Sequence, residues 1–287
     1  MTYRRRASPL HAAAAGPACA FVLALALAAI VVSSPVVLGV LLVAVLGAGV
    51  GAGVGRDMAR ALRLALLVAV AVALVNALVT RNGLTVILRL GNLPVLGHTD
   101  VTLEATVYGG VLGLRAAILI LCGALYTLAV DPDQVLRLLR PVSFRSALTA
   151  TLATRLVPVL ARDSRRMAEA QRCRPGAPPT RVALLRASTA GVLDRALEVA
   201  AALEVRGYGA ARRAPRQHRP WSRHDLAFAA ASLAIAVIAL GARVGGLFAF
   251  SAYPSLHAPL SVGTVLACAA LGSAAGLPFL DRRGVHE

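Results

Sequence analysis

The sequence of 287 residues contains no lysine, few aromatic residues and few charged residues of any kind. Aromatic residues make up 4% and charged residues 15%, whereas soluble domains carry about a quarter charged residues. Without lysine, the chain can form neither the phosphate-binding loop of a P-loop ATPase nor a lysine Schiff base. The hydrophobic content of 58% excludes a soluble globular domain, because too little polar surface is available to cover it.

Metal-binding and disulfide patterns are also missing. The four cysteines stand far apart without a CxxC pair, and the six histidines are scattered along the chain. Zinc sites and disulfide frameworks place their cysteines and histidines at characteristic spacings. We therefore predict no metal site and no disulfide framework in this chain.

Long apolar runs occupy much of the sequence instead. A helix that spans a bilayer needs about 20 mostly apolar residues. The first run, residues 18–54, is long enough for two helices and is interrupted at residues 33–35, where we predict a turn. Further apolar runs cover residues 62–79, 108–130, 226–240 and 259–280. The sequence thus predicts an all-α, polytopic membrane protein with about six transmembrane helices.

Arginine is concentrated in segments that would lie on one side of such a protein. Residues 131–224 carry 18 Arg against 7 acidic residues, for a net charge of +11. Positive residues accumulate in the cytoplasmic loops of membrane proteins. We therefore predict a multi-pass protein of the cell (plasma) membrane with both termini in the cytoplasm. The predicted regions are a membrane region of about four spans (1–130), a cytoplasmic region (131–224) and a membrane region of about two spans (225–287).

Two features inside the apolar runs have structural interpretations. Gly47, Gly51 and Gly55 recur every four residues, which is the small-xxx-small pattern of close helix packing in a bilayer. Arg115 lies inside the fourth predicted span, where a charge is costly and often functional. We expect Arg115 to snorkel or to pair within the helix bundle.

Two long amphipathic helices are predicted in the cytoplasmic region. Apolar residues at spacings of three and four indicate one helix over residues 145–174 and another over residues 180–206, the second about 40 Å long. Pro158 should kink or break the first helix. Asp163 lies on the apolar stripe of the first helix, so we expect it to have a partner, and Arg195 lies on the polar side of the second.

Both predicted helices end in an arginine beside a helix breaker. A basic residue is favourable at a helix C-terminus because it complements the helix dipole. An exposed arginine at such a tip can also enter a groove on a partner and form two hydrogen bonds with a carboxylate. The residues at the two tips are Cys173, Arg174 and Pro175 in the first helix, and Val205, Arg206 and Gly207 in the second.

These two tips resemble the paired signatures of a known family. Residues 169–174 and 203–209 are similar to the Ala-Arg-Ser or Ala-Arg-Gly motifs of the transmembrane T component of energy-coupling factor (ECF) transporters, a family that includes the CbiQ-like cobalt transport permeases. Asp131-Pro132 after the fourth span agrees with that family, and the resemblance covers about residues 60–210. The tips depart from the family pattern at Cys173, Pro175 and Val205.

The resemblance implies a transport function. In this family the T component is a membrane scaffold whose two coupling helices dock on two cytoplasmic ATPase subunits, while a separate S component in the membrane binds the substrate. By resemblance, Arg174 and Arg206 enter the ATPase grooves. ATP used by the partner subunits would drive uptake of a vitamin or a transition-metal ion, and the chain itself would be non-catalytic and bind no cofactor directly.

Two other functions stay open at this point. An intramembrane enzyme would need polar groups within the spans, where Asn76 and Arg115 are the main candidates, and the sequence has no HExxH or GxSxG motif. The Arg-rich cytoplasmic face could alternatively bind anionic lipid or nucleic acid. Few aromatic residues are available for base stacking, so nucleic acid is not an expected partner.

Overall fold

The computed structural model describes residues 6–79, 86–93, 97–138, 144–173, 180–207, 220–245 and 262–281. The chain divides into two compact units: Met1–Val135 with Trp221–Glu287, here called the bundle unit, and Leu136–Pro220, here called the helix-pair unit. In chain order the elements are α1 (Pro9–Ala12), α2 (Ala15–Val31), α3 (Pro35–Gly51), α4 (Gly55–Val79), β1 (Val86–Leu93), β2 (Gly97–Thr102), α5 (Leu103–Ala129), α6 (Pro132–Leu138), α7 (Phe144–Arg172), α8 (Arg181–Val205), α9 (Arg223–Val244), α10 (Val262–Gly276) and a 3-10 turn (Leu277–Phe279).

Each predicted span corresponds to an apolar helix of the bundle unit. The first run forms two helices, α2 and α3, and the turn between them ends at Pro35, which occupies the first position of α3. The helices α4, α5, α9 and α10 with its 3-10 extension are long and apolar enough to cross a membrane, and α2 and α3 are shorter, at 17 residues each. The predicted all-α polytopic fold class is confirmed.

Helices α4 and α5 pack closely against each other through small residues. A Cβ added at Gly109 would lie 2.7 Å from the carbonyl oxygen of Ala73, and one added at Gly113 would overlap the carbonyl of Ala69. Small residues also recur every four positions along the facing side of α4. Such rows let two helix backbones approach closely in a membrane, where van der Waals packing drives association. The α4 row comprises Ala61, Ala65, Ala69, Ala73 and Ala77.

The first and last spans are joined by an aromatic cluster. Phe21 of α2 and Phe228 of α9 have ring centroids 5.2 Å apart, and Phe279 of the 3-10 turn lies 5.3 Å from Phe228. All three rings meet edge to face, which is a favourable arrangement for aromatic pairs. In a chain with only six Phe, this cluster connects the N-terminal and C-terminal parts of the bundle unit.

The three glycines predicted to share one helix face lie on two helices. Helix α3 ends at Gly51 and α4 begins at Gly55, with Gly53 between them at φ +72°. Gly51 faces Phe279, whose ring would overlap an added Cβ at 2.6 Å, whereas Gly47 has open space around its Cα. Gly55 therefore does not share a packing face with Gly47 and Gly51, because the turn at Gly53 ends the helical repeat.

Arg115 pairs within the bundle, as expected. Its Nε donates a hydrogen bond to the carbonyl of Ala29 at 3.0 Å, and its Nη2 donates to the carbonyl of Val32 at 2.8 Å. Both carbonyls lie at the C-terminal end of α2, where the last carbonyls of a helix lack partners of their own. The guanidinium also complements the negative end of the helix dipole. Arg115 therefore caps α2 from the middle of α5.

A buried carboxylate holds the N-terminal ends of two other spans. Asp225 in the first turn of α9 accepts hydrogen bonds from the backbone N–H of Ala14, at 2.5 Å, and of Ser222, at 2.8 Å. The Ser222 hydroxyl in turn accepts from the backbone N–H of Asp225, which completes a capping box. Because Ala14 is the N-cap of α2, this single side chain ties the start of α2 to the start of α9.

Among the described residues, the strands occur between α4 and α5. Strands β1 and β2 pair antiparallel, with Val86 opposite Thr102 and Leu93 opposite Gly97. The Thr102 hydroxyl then accepts a hydrogen bond from the backbone N–H of Ala105 and caps α5. Strand β2 thus leads directly into α5, the helix that packs against α4.

Candidate functional site at the ends of two long helices

Helices α7 and α8 make up most of the helix-pair unit. They contain 29 and 25 residues, so they are about 43 and 38 Å long at 1.5 Å per residue. Of the predicted kink or break at Pro158, the break is wrong, because α7 continues through that residue. The helix tolerates the missing N–H at this position, and Arg162 donates from its Nε to the Pro158 carbonyl at 3.2 Å.

An ion pair joins the two helices near their middles. Nη1 of Arg195 lies 2.7 Å from Oδ2 of Asp163, and the two side chains are 41% and 32% exposed. The partner expected for Asp163 is therefore present. Its partner is Arg195, so the part of the polar side of α8 that carries this residue faces α7. A partly exposed pair of this kind contributes about 0–1 kcal/mol to stability, so its main effect is to fix the register of the helices.

The order of the contacts shows that α7 and α8 run in opposite directions where they meet. Asp163 of α7 meets Arg195 of α8, whereas Met167, further along α7, meets Gly191, which is earlier in α8. The two helices are therefore antiparallel where they touch. A pocket of about 450 Å³ lies beside the ion pair, lined also by Ser164 and Ser188.

The antiparallel contact places the two helix tips on opposite sides of it. Asp163 lies nine residues before the end of α7 at Arg172, and Arg195 lies ten residues before the end of α8 at Val205. Each tip is therefore about 14–15 Å from the ion pair, measured along its own helix axis. The two tips leave the contact in opposite directions.

The tip of α8 has the predicted form. Arg206 is the C-cap of the helix, and Gly207 follows in the left-handed region at φ +72°, with its N–H bonded to the carbonyl of Glu204 at 2.9 Å. This is the position where glycine commonly ends helices. Val205 is 90% exposed, and Arg206 and Gly207 are exposed as well. The Arg206 side chain is thus presented at the end of a stiff helix.

The tip of α7 is described only in part. The backbone N–H of Cys173 bonds to the carbonyls of Glu169 and Ala170, so the turn of the helix extends to this residue, and Cys173 is exposed. The predicted site residues Arg174 and Pro175 lie outside the described residues. Cys173 therefore marks an accessible helix end directly before the first predicted tip arginine.

A surface that the sequence analysis did not single out is the outer side of α8. Val182, Leu185, Leu193 and Leu197 are between 65% and 70% exposed, whereas Ser188, Gly191 and Arg195 line the pocket beside α7. These four apolar side chains therefore point away from the partner helix. The spacing of Leu193 and Leu197 already indicated that they share one face of the helix. Periodicity alone does not tell which face of α8 packs against another helix.

The polar residues within the spans have local partners. Asn76 donates from its Nδ2 to the carbonyl of Val72 in its own helix at 2.9 Å, and Arg115 binds the end of α2. Among the residues that the structure describes, no three His, Cys, Asp or Glu side chains are grouped so that they could hold a metal ion.

A comparison with known protein families identifies the family to which the two long helices belong. A family model described as "CbiQ: Cobalt transport protein" matches residues 6–219, which is about three quarters of the chain and includes α7, α8 and both tips. No curated protein matches the sequence. Because the match covers well over half of the chain, this multi-pass membrane protein belongs to the CbiQ family of cobalt transport proteins.

Proposed function

We propose that this chain is the transmembrane scaffold (T) subunit of an ECF-type importer, in which two ATPase subunits dock on the tips of α7 and α8. The observation that carries the proposal is the antiparallel contact between these helices, which directs their arginine-bearing ends to opposite sides. Two tips that leave the contact in opposite directions suit two separate ATPase subunits, one at each tip. The membership in a cobalt transport family supports the same role.

Arg206 has the chemistry that docking requires. Its guanidinium can form two parallel hydrogen bonds with a carboxylate in a partner groove. Gly207 ends the helix directly after it, and the Arg206 side chain is exposed. Arg174 and Pro175 would provide the corresponding contact at the other tip, next to the exposed Cys173.

The ion pair near the middle of the two helices would couple the two docking sites. Long helices transmit a displacement along their axes because every residue is held by backbone hydrogen bonds. When the ATPases close on ATP, a force on either tip would act about the contact between Asp163 and Arg195. The helix-pair unit would then move as a linked pair of levers rather than as two independent helices.

The exposed apolar side of α8 would receive the substrate-binding S component. Contiguous exposed apolar side chains on a helix indicate an interaction surface. Leu185, Leu193 and Leu197 form such a surface on the same helix that carries Arg206. A displacement of α8 would therefore reach the S component directly and release a vitamin or transition-metal ion towards the cytoplasm.

The orientation follows from the distribution of arginine. Residues 131–224 carry 18 Arg, and this excess favours the cytoplasm. With both termini also cytoplasmic, the helix-pair unit would meet the ATPases on the side where ATP is available. The chain would then use no cofactor of its own, because ATP binding and hydrolysis belong to the partner subunits.

The proposal is tested by replacing the tip arginines. Arg206→Ala and Arg174→Ala should each reduce co-purification of ATPase subunits with the tagged chain and abolish ATP-dependent uptake, without lowering the amount of chain in the membrane. Arg186→Ala is the matched control, since Arg186 is exposed near the start of α8, far from its tip.

The conformation of Gly207 provides a second comparison at the same tip. Gly207→Asn should keep ATPase binding, because Asn adopts the left-handed region readily, whereas Gly207→Val should weaken it. Normal uptake by both arginine variants, with the ATPases still bound, would refute the proposed role of the tips.

A further inference from the structure

The exposed side of α4 begins with three arginines. Arg56, Arg60 and Arg63 are exposed and follow the spacing i, i+4, i+7, which places them on one face of the helix. The same face continues with Leu67 and Leu74, which are 69% and 59% exposed. A row of positive charges thus leads without interruption into an apolar row.

Internal contacts do not account for these arginines. Arg60 lies 3.2 Å from Asp57, but the same carboxylate also binds Arg6 at 3.0 Å. Arg56 and Arg63 make no hydrogen bond or ion pair with any described part of the chain. Counting these four arginines and Asp57, the local charge is +3.

The position of the row in the helix is unfavourable for cations. Positive side chains in the first turns of a helix oppose the positive end of the helix dipole. The three arginines occupy the first nine residues of α4, which begins at Gly55. The helix dipole therefore does not account for three cations at this end of α4.

The arginine row and the apolar row of α4 follow the order of the polar and apolar layers of a bilayer leaflet. From Arg56 to Arg63 the helix rises about 10 Å, and the polar layer on each side of a bilayer is about 5–8 Å thick. Arginine side chains also extend several ångströms towards headgroups while their stems stay in the apolar layer. When the arginines lie among headgroups, Leu67 and Leu74 lie among acyl chains.

We infer that this face of α4 binds an anionic phospholipid, with its phosphate on the arginine row and an acyl chain along the apolar row. Charge complementarity selects the phosphate, and the continuous apolar row distinguishes a lipid from a free anion. Guanidinium groups bind phosphate oxygens with paired hydrogen bonds. The site belongs to the bundle unit alone and does not depend on the proposed docking of ATPases.

Lipid retention by the purified full-length chain tests this site. The chain in a neutral detergent is incubated with phosphatidylglycerol or phosphatidylcholine, and bound lipid is counted by native mass spectrometry. Wild-type chain should retain phosphatidylglycerol preferentially. The triple variant Arg56→Gln, Arg60→Gln, Arg63→Gln should bind it about a hundredfold more weakly, since each basic side chain near an anionic surface strengthens binding about fivefold.

The matched control removes three exposed arginines elsewhere. Arg162→Gln, Arg165→Gln, Arg166→Gln on α7 lowers the net charge equally and should leave phosphatidylglycerol binding unchanged. Equal losses in both triple variants, or no loss in the α4 variant, would overturn the inference. So would displacement of the lipid by millimolar inorganic phosphate, which would identify a free anion as the ligand.

The test does not depend on recovery of the triple variant. Should it fail to fold, the single variants Arg56→Gln and Arg63→Gln remain, and neither removes an internal contact among the described residues. Each is expected to weaken phosphatidylglycerol binding about fivefold. Unchanged binding in both single variants would equally overturn the inference.

Discussion

Replacement of Arg115 by methionine measures how much one charged side chain inside the membrane contributes to the stability of the helix bundle. Arg115 is the thirteenth of the 27 residues of α5, so it lies at the middle of a span. Methionine keeps much of the length of the side chain and removes both hydrogen bonds to the end of α2. The carbonyls of Ala29 and Val32 then lose these donors in an apolar environment.

The expected loss of stability follows from these two bonds. Hydrogen bonds from a charged group contribute about 1.5–3 kcal/mol each, whereas side-chain hydrogen bonds between membrane helices average about 0.6 kcal/mol. Two bonds therefore contribute between about 1 and about 6 kcal/mol. Placing an arginine at the centre of a span costs about 2.5–3.5 kcal/mol, which reduces the upper value to about 3 kcal/mol. The average of about 0.6 kcal/mol per bond needs no such correction, because it compares folded and unfolded states that are both in the membrane. We expect Arg115→Met to lower the free energy of unfolding by about 1–3 kcal/mol.

Unfolding in mixed micelles measures this change. The chain is titrated with sodium dodecyl sulfate, and unfolding is followed by helical circular dichroism and by the fluorescence of its single Trp, Trp221. The stability of Arg115→Lys should lie between those of wild type and Arg115→Met. An ammonium group keeps the charge, but it lacks the planar guanidinium that donates to both carbonyls at once. Arg243→Met is the control, since Arg243 is exposed in the last turn of α9.

The outcome that contradicts the reasoning is a variant Arg115→Met that is as stable as wild type or more stable. That result would mean that the cost of holding the charge in the span equals or exceeds the two hydrogen bonds. A loss of similar size in Arg243→Met would show that any removed arginine lowers stability. In either case Arg115 would not be the residue that fixes α2 against α5.

Two further predictions concern helix contacts. Gly109→Ala should destabilise the bundle unit by about 1–3 kcal/mol in the same unfolding assay, because the added methyl meets the Ala73 carbonyl, whereas Gly110→Ala, with no neighbour within 4 Å, should be neutral or stabilising. The opposite order would refute the close packing of α4 on α5. The single variants Asp163→Arg and Arg195→Asp should lower ATP-dependent uptake, and the double exchange should restore it; unchanged uptake in the single variants would show that the ion pair has no part in coupling.

Much of the bundle could be predicted because apolar runs and helix breakers are local signals. Residues 33–35 interrupt the first run, and the chain does turn there into α3. The glycine repeat was misread because Gly47, Gly51 and Gly55 have helical spacing across a turn. Spacing alone does not reveal that Gly53 takes a positive φ and separates two helices.

At the candidate site, too, features set by neighbouring residues could be predicted from the sequence, whereas contacts between the two helices could not. The end of α8 at Gly207 was predictable, since glycine after the last helical turn is a strong local stop signal. The need of Asp163 for a partner was also predictable from its place on an apolar stripe. Its identity as Arg195 was not, because the partner depends on how two helices are placed against each other, and a sequence pattern does not specify that placement.

The aromatic cluster has a consequence for the order in which the bundle assembles. Phe21 enters the membrane early in synthesis, yet its partners Phe228 and Phe279 are made about 210 and about 260 residues later. The first span therefore cannot complete its packing until the last helices have been inserted. These helices lie beyond residues 6–219, the part that the family model matches. A nascent chain that stops near residue 219 would leave Phe21 uncovered, so the C-terminal spans act as the closing step of folding.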